Sequence, residues 1–274
     1  MLLTWREPVP GYDLSLSTKL QRFGKLDPTS RRGRGVFVRA FWTPQGACTL
    51  ALRQAGAEVE AEILGPGAAL VRDWLPTMFR FAPQELPPDC NHPGLRQLAR
   101  RLPGLKIHRM PWAFDVAQMV VLQQRVAFED ASRSFRQLVH RYSQPAPGPL
   151  PLKMPLRPEQ WLQIGINRIQ EVEVDAQRAR TLLRVAELGL ELDLEKLAAT
   201  RGVGPWTFQS VLGFAQGHPD AVPIGDLHLP RIVALYFGQR PGGDERMLEL
   251  LEPYRGLRFR VINWILAAAH ARAF

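Results

Sequence analysis

The sequence predicts an α+β protein: a small N-terminal lobe of mixed α/β character with an antiparallel sheet, residues 1–90, then a mainly α-helical region, residues 91–274. Three observations predict it. β-rich runs punctuated by turn residues fill the front of the chain. A proline cluster, Pro83, Pro87, Pro88 and Pro93, closes them off. From His92 onward the apolar residues recur at helical spacing.

In order, Gly35–Trp42 and Ala47–Arg53 read as strands joined by the turn Thr43-Pro-Gln-Gly46. Glu58–Leu64 alternates polar and apolar residues and stops at Gly65-Pro66-Gly67, after which 68–81 reads as helical. A short helix Pro93–Arg101 ends at Pro103-Gly104. The longest helical stretch runs from Phe114 to about Tyr142. The proline-rich segment Gln144–Pro151 reads as a connector. Further helices are expected at 158–166, 175–188, 194–200, 205–216, 227–237, 245–251 and 259–271.

The chain has 274 residues, 46% hydrophobic and 22% charged, so a sizeable core is expected. Lys plus Arg number 35 against 26 Asp plus Glu, a net charge of +9, and the pI is about 10.2. That balance suits a polyanionic partner, a nucleic acid or an acidic membrane surface. Two cysteines, Cys48 and Cys90, form neither a disulfide framework nor a zinc or iron–sulfur ligand set. No apolar run is long enough to span a membrane and the N-terminus does not read as a secretory signal, so a cytoplasmic, nucleoid-associated protein is expected.

The segment 194–216 is the most informative. An apolar-periodic helix runs into Gly202-Val203-Gly204, and a second helix starts at Pro205. Two glycines one residue apart allow a tight turn with positive φ and a close backbone approach to a ligand. Proline suits the first helical position. The unsatisfied amides of such a turn form an anion site that positions a phosphate without reading a base; a packing corner between two helices is the competing reading.

Further on, Val222-Pro-Ile-Gly-Asp226 leads into an apolar helix. Asp226 reads as a helix N-cap or as a carboxylate in a partly dehydrated pocket, and the two roles are compatible. In the pocket role it would stabilise positive charge developing on a sugar and orient or deprotonate a water.

Gly202-Val-Gly-Pro-Trp-Thr207 followed by Val222-Pro-Ile-Gly-Asp226 resembles the signature of the helix-hairpin-helix DNA glycosylases, nearest to the 3-methyladenine glycosylase II (AlkA) type. Tyr12-Asp13, Pro103-Gly-Leu105, Ala113–Val126 and Pro253-Tyr-Arg255 extend the resemblance from about residue 4 to the end. It implies that Asp226 is the catalytic carboxylate. Bifunctional relatives carry a lysine two residues after the second hairpin glycine. Here that position is Trp206, which implies base removal without strand cleavage and an aromatic face for an electron-poor base.

The implied partner is double-stranded DNA with damaged bases, bound by a monomer, and the implied substrate an alkylated purine. A non-catalytic lesion binder and a glycosylase for oxidised or deaminated bases are the alternatives. DNA contacts are expected from Gly202, Val203, Gly204 and Thr207 of the hairpin, from Gln124, and from Arg125, Arg231 and Arg255. No cofactor is implied beyond a monovalent cation on the carbonyls of 199–204.

Two departures stand out. The family's apolar or bulky wedge is replaced by Gln123-Gln124-Arg125, so Arg125 reads as an intercalating guanidinium, a phosphate contact or a solvent-exposed charge on a helix end. The family's C-terminal pocket tryptophan aligns near Asn263 or Trp264, and an asparagine there implies a more polar pocket. Trp112 and Phe114 are candidates for the pocket or for the core. Histidines 108, 218 and 228 lack metal spacing, and Arg31–Arg34 reads as a solvated loop.

Overall fold

The computed structural model describes residues 1–19, 21, 23–81, 86, 90, 92–110 and 113–272. The front of the chain forms one antiparallel sheet of β1 (Leu2–Pro8), β2 (Ser30–Gly33), β3 (Val36–Thr43), β4 (Gly46–Ala55) and β5 (Glu58–Leu64), in the order β1-β5-β4-β3-β2. The β3–β4 hairpin turns where expected, Thr43 facing Gly46, and the Thr43 hydroxyl closes the turn by donating to the Gly46 carbonyl at 2.9 Å. α1 (Leu14–Ser17) precedes β2, and α2 (Ala68–Met78) covers β1, β4 and β5.

Three parts of this lobe differ from the expectation. β1 is an edge strand that pairs with β5 from Leu2↔Leu64 to Pro8↔Glu58. Its exposed charges Arg6 and Glu7 mask it in the sequence, as is common at sheet edges. Arg31–Gly33 lies in edge strand β2, with Arg31 bonded to the carbonyls of Asp27 and Ser30. The proline-rich segment after residue 144 contributes to a core. Ala146, Leu152 and Met154 are buried against Val38, Ala40 and Trp42, on β3. That is why β3 is an almost continuous buried run.

The helical part comprises α3 (Pro93–Arg101), α4 (Ala113–Leu122), α5 (Phe128–Tyr142), α6 (Pro158–Gln170), α7 (Ala176–Glu187), α8 (Leu194–Ala199), α9 (Pro205–Gln216), α10 (Leu229–Tyr236), α11 (Gly243–Leu251) and α12 (Arg258–Arg272). The 114–142 stretch is two helices. The break at 123–127 contains no glycine or proline and turns on Arg125, whose φ is 57°. Asp175 and Asp193 cap α7 and α8 by accepting two backbone amides each.

The cores divide the chain in their own way. One core runs without interruption from Phe37, Leu50 and Val71 to Phe114, Phe135, Trp161, Leu182 and Val211, joining the sheet to α4–α9. A second joins α3 to α10–α12 through Leu95, Val233, Met247, Val261 and Trp264. The hairpin packs on the first core through Val203 and Trp206, and the loop that follows α9 on the second through Val222 and Ile224. Among the described residues no helix is long and apolar enough to cross a membrane.

Candidate active site

Three connections build the site: the α8–α9 turn, the loop from Gly217 to His228, and the α4–α5 loop. α9 begins at Pro205 after Gly204, which occupies the cap position with no side-chain hydrogen bond. Gly202 has φ +98°, and a Cβ there would overlap the Thr181 hydroxyl of α7. Its need for glycine is met inside the protein. Gly204 has φ −91°, and a Cβ there would meet nothing within 4 Å. The sequence suggested that both glycines let a ligand approach. At Gly204 the space a side chain would fill is open, beside the N-terminus of α9.

Trp206 occupies the first turn of α9, half-buried, and its indole N–H donates to Asp226 Oδ2 at 2.9 Å. Asp226 Oδ1 accepts the amides of His228 and Leu229, each at 2.8 Å, at the start of α10. The N-cap position itself is His228, so Asp226 is not the cap, but from two residues earlier it accepts the amides that open the helix. The carboxylate is half-buried, held by three N–H donors and next to the positive end of a helix. The preceding Gly225, φ +90°, gives its amide to Asp244 Oδ2 at 2.9 Å. Earlier in the loop, Asp220 accepts from the amides of Gly256 and Arg258 and from the Arg258 guanidinium. The loop that carries Asp226 is thus pinned to α11 and α12.

Trp206 also lines an apolar cleft with Met110, Met119, Phe128 and Phe214, with Gln21 and Ser210 among its polar groups. None of these other lining residues was singled out in the sequence. Phe128 carried the one usable signal, a large apolar residue at a helix start, and it is 41% exposed. Phe114 is fully buried in the core. So is Trp264, 1% exposed, with the Arg260 guanidinium 4.5 Å from its ring centroid. Asn263 donates to the Phe259 carbonyl at 2.7 Å and lines a neighbouring groove with Leu105 and Lys106. Phe114 and Trp264 are therefore core rather than pocket wall, while Asn263 faces the groove next to the cleft. Trp112 lies outside the described residues.

The DNA-contact candidates also separate. The Gln124 amide donates to the Gly202 carbonyl at 3.0 Å and to the Thr207 hydroxyl at 2.8 Å, locking the α4–α5 loop onto the hairpin. Thr207 is 2% exposed, so both residues serve the protein's own geometry. Arg125, next to Gln124, is exposed at the loop tip in the left-handed region. That conformation costs a non-glycine residue about 1–2 kcal/mol. Val203 is half-buried beside Gly204, and Arg231 is exposed on α10. Arg255 is exposed but paired with Glu252 at 2.7 Å.

Three hairpin carbonyls already accept hydrogen bonds: Thr200 from the Val203 amide at 2.9 Å, Arg201 from the Arg184 guanidinium at 3.3 Å, and Gly202 from Gln124. The guanidinium brings its own positive charge to this backbone.

No protein-family model matches the chain. It is 34% identical over 102 residues to YfjP of Bacillus subtilis, a protein named for DNA-3-methyladenine glycosylase activity, covering 34% of this chain and 35% of that one. It is 32% identical over 166 residues to a Mycobacterium tuberculosis protein named for a bifunctional transcriptional activator/DNA repair enzyme AlkA, covering 53% of this chain and 32% of that one. The chain thus spans about a third of the length of these relatives. Among solved structures, a 3-methyladenine DNA glycosylase from Archaeoglobus fulgidus superposes with a TM-score of 0.76 at 21% identity, covering 96% of this chain and 97% of that one. A Clostridium acetobutylicum 8-oxoguanine glycosylase/lyase in complex with double-stranded DNA gives 0.68 at 12% identity, covering 100% and 99%. Over nearly its whole length the chain shares the fold of these solved DNA glycosylases, and over part of its length its sequence is similar to relatives named for the 3-methyladenine (AlkA) type.

Proposed function

We propose that the protein is a monofunctional DNA glycosylase that flips damaged bases, alkylated purines above all, out of duplex DNA and hydrolyses their N-glycosidic bonds. The observation that carries this is the Trp206–Asp226 pair beside an apolar cleft, next to a hairpin with open space at Gly204.

The amides at Gly204 and the start of α9 hold one phosphate. Arg125, held out at the tip of the loop that Gln124 locks to the hairpin, enters the stack as the damaged nucleotide rotates out. Extrusion costs least for a base whose pairing is already weakened. The base then lies against the indole of Trp206 and the sulfur and aromatic groups of the cleft. An alkylated purine carries positive charge, which such aromatic faces attract.

Breaking the C1′–N bond leaves positive charge on the sugar. The anionic carboxylate of Asp226, fixed before the reaction by its three donors, stabilises that charge. Water adds to C1′, its proton passing to Asp226 or to solvent, and the alkylated base leaves neutral. It is a good leaving group, so the site needs no strong general acid. With Trp206 where a Schiff-base lysine would stand, the backbone stays intact. Such work places the protein at the nucleoid.

The test is incubation with methylated duplex DNA, assaying released bases and abasic sites separately from strand breaks. Free 3-methyladenine or 7-methylguanine, with breaks only after alkali, supports the reading. Strand breaks formed without alkali would remove its monofunctional part, and no base release would remove the alkylpurine part.

A further inference from the structure

α7 places Gln177, Arg180, Thr181 and Arg184 on one stripe, at i, i+3, i+4 and i+7. Together with Arg201 and Gly202 of the hairpin they line an open cleft immediately beside the turn. Arg178 of the same helix shows what a structural arginine looks like here. It is 5% exposed and bonds to Asp175 and to the carbonyls of Leu122 and Glu173. Exposed arginines elsewhere, such as Arg133, Arg246 and Arg255, pair with carboxylates. Among the described residues no carboxylate pairs with Arg180, Arg184 or Arg201, and none lines the cleft.

Like charges at i and i+4 cost a helix a few tenths of a kcal/mol, so folding does not ask for Arg180 and Arg184 together. Arg184 also rests on the Arg201 carbonyl, which draws the cations towards the hairpin. Planar guanidinium groups with several outward donors match the paired oxygens of a phosphodiester.

We propose that this cleft is a second phosphate-binding site, which holds backbone phosphates of the strand gripped by the hairpin and so extends the DNA footprint along α7. The proposal rests on the glycosylase reading for its ligand, but binding can be tested apart from excision. Because it contacts backbone and no base edge, the cleft adds affinity without adding sequence preference. Each phosphate neutralised adds about one unit to the slope of log affinity against log salt.

The experiment is fluorescence anisotropy of labelled undamaged duplexes of several sequences, titrated with the full chain across a range of salt. The wild type is compared with R180Q/R184Q, with R180K/R184K, and with R6Q/R72Q. The last removes the same charge from the N-terminal lobe, where Arg6 pairs with Glu58 and Arg72 with Asp73. Thermal melts establish that each variant is folded. The expected result is a slope about two units shallower for R180Q/R184Q, with similar weakening on every sequence. The lysine variant should keep the wild-type slope, and R6Q/R72Q should stay close to it. A wild-type slope in R180Q/R184Q, or an equal loss in R6Q/R72Q, would overturn the site. If these slopes behave as expected while no base is released from damaged DNA, the glycosylase reading fails and the phosphate cleft stands.

Discussion

The Trp206 indole N–H and Asp226 Oδ2 are 2.9 Å apart, so the cleft's aromatic wall and the candidate catalytic carboxylate form one unit. Trp206→Phe keeps the ring and removes the donor. A hydrogen bond to a charged group is worth about 1.5–3 kcal/mol, roughly 10- to 100-fold in rate. Single-turnover excision should fall by about that factor while duplex affinity, measured by anisotropy, changes little. Unchanged excision would separate the indole N–H from the chemistry.

The two hairpin glycines should respond differently to alanine. At Gly202 a Cβ meets Thr181 at a φ of +98°, so strain and overpacking add to a loss of about 2–5 kcal/mol in chemical denaturation. At Gly204 the φ is −91° and the space is open, so Gly204→Ala should fold normally. Its methyl group would stand where a phosphate approaches, and duplex binding should weaken.

Arg125 offers a trade between stability and activity. Arg125→Gly relieves the strain at φ 57°, about 1–2 kcal/mol, against a glycine entropy cost of about 0.5–1 kcal/mol. The melting temperature should hold or rise while excision falls. A drop in both would show that Arg125 supports the loop itself.

Two buried groups give opposite pH trends. His108, fully buried between the Tyr12 hydroxyl at 2.6 Å and the Gln21 amide at 2.9 Å, is pushed down by burial from 6.5 to about 3. Stability present above pH 6.5 should be lost as pH falls towards 3, because the unfolded chain takes up the proton first. Asp115, buried near Arg39 and Asp27, is raised by burial from 3.8 to about 7. Its contribution should be lost as pH rises from about 4 to 7. The Gln118 amide donates to its Oδ1 at 2.9 Å, a bond that Asp115→Asn can keep. The asparagine variant should gain stability over the wild type as pH rises through that window, read by urea denaturation at each pH.

How much of this was legible in the sequence depended on where the determinant sat. α9 spans Pro205–Gln216 as expected, because Gly204-Pro205 starts it and Gly217, φ 63°, ends it locally. The sheet's central hairpin was equally local. The break between α4 and α5 was not, since it is held by Gln124 reaching 78 residues along the chain to Gly202. β1 was invisible for a similar reason: its partner, β5, lies 50 or more residues away and most of its own residues are exposed. Asp226 and Trp206 were both found from the motif, but their bond was not. Phe114 and Trp264 looked like a pocket and proved to be core. The arginine stripe of α7 was present at i, i+4 spacing, yet only the fold brings Arg201 beside it.

The central claim is that Asp226 supports glycosidic cleavage. Asp226→Asn preserves the shape and the Oδ1 contacts to the α10 amides while removing the charge. The measurement is single-turnover release of 3-methyladenine from methylated duplex by wild type and variant, with duplex affinity measured alongside. The account predicts a loss of about 100-fold or more in release with affinity retained. Equal release by the two proteins would contradict it.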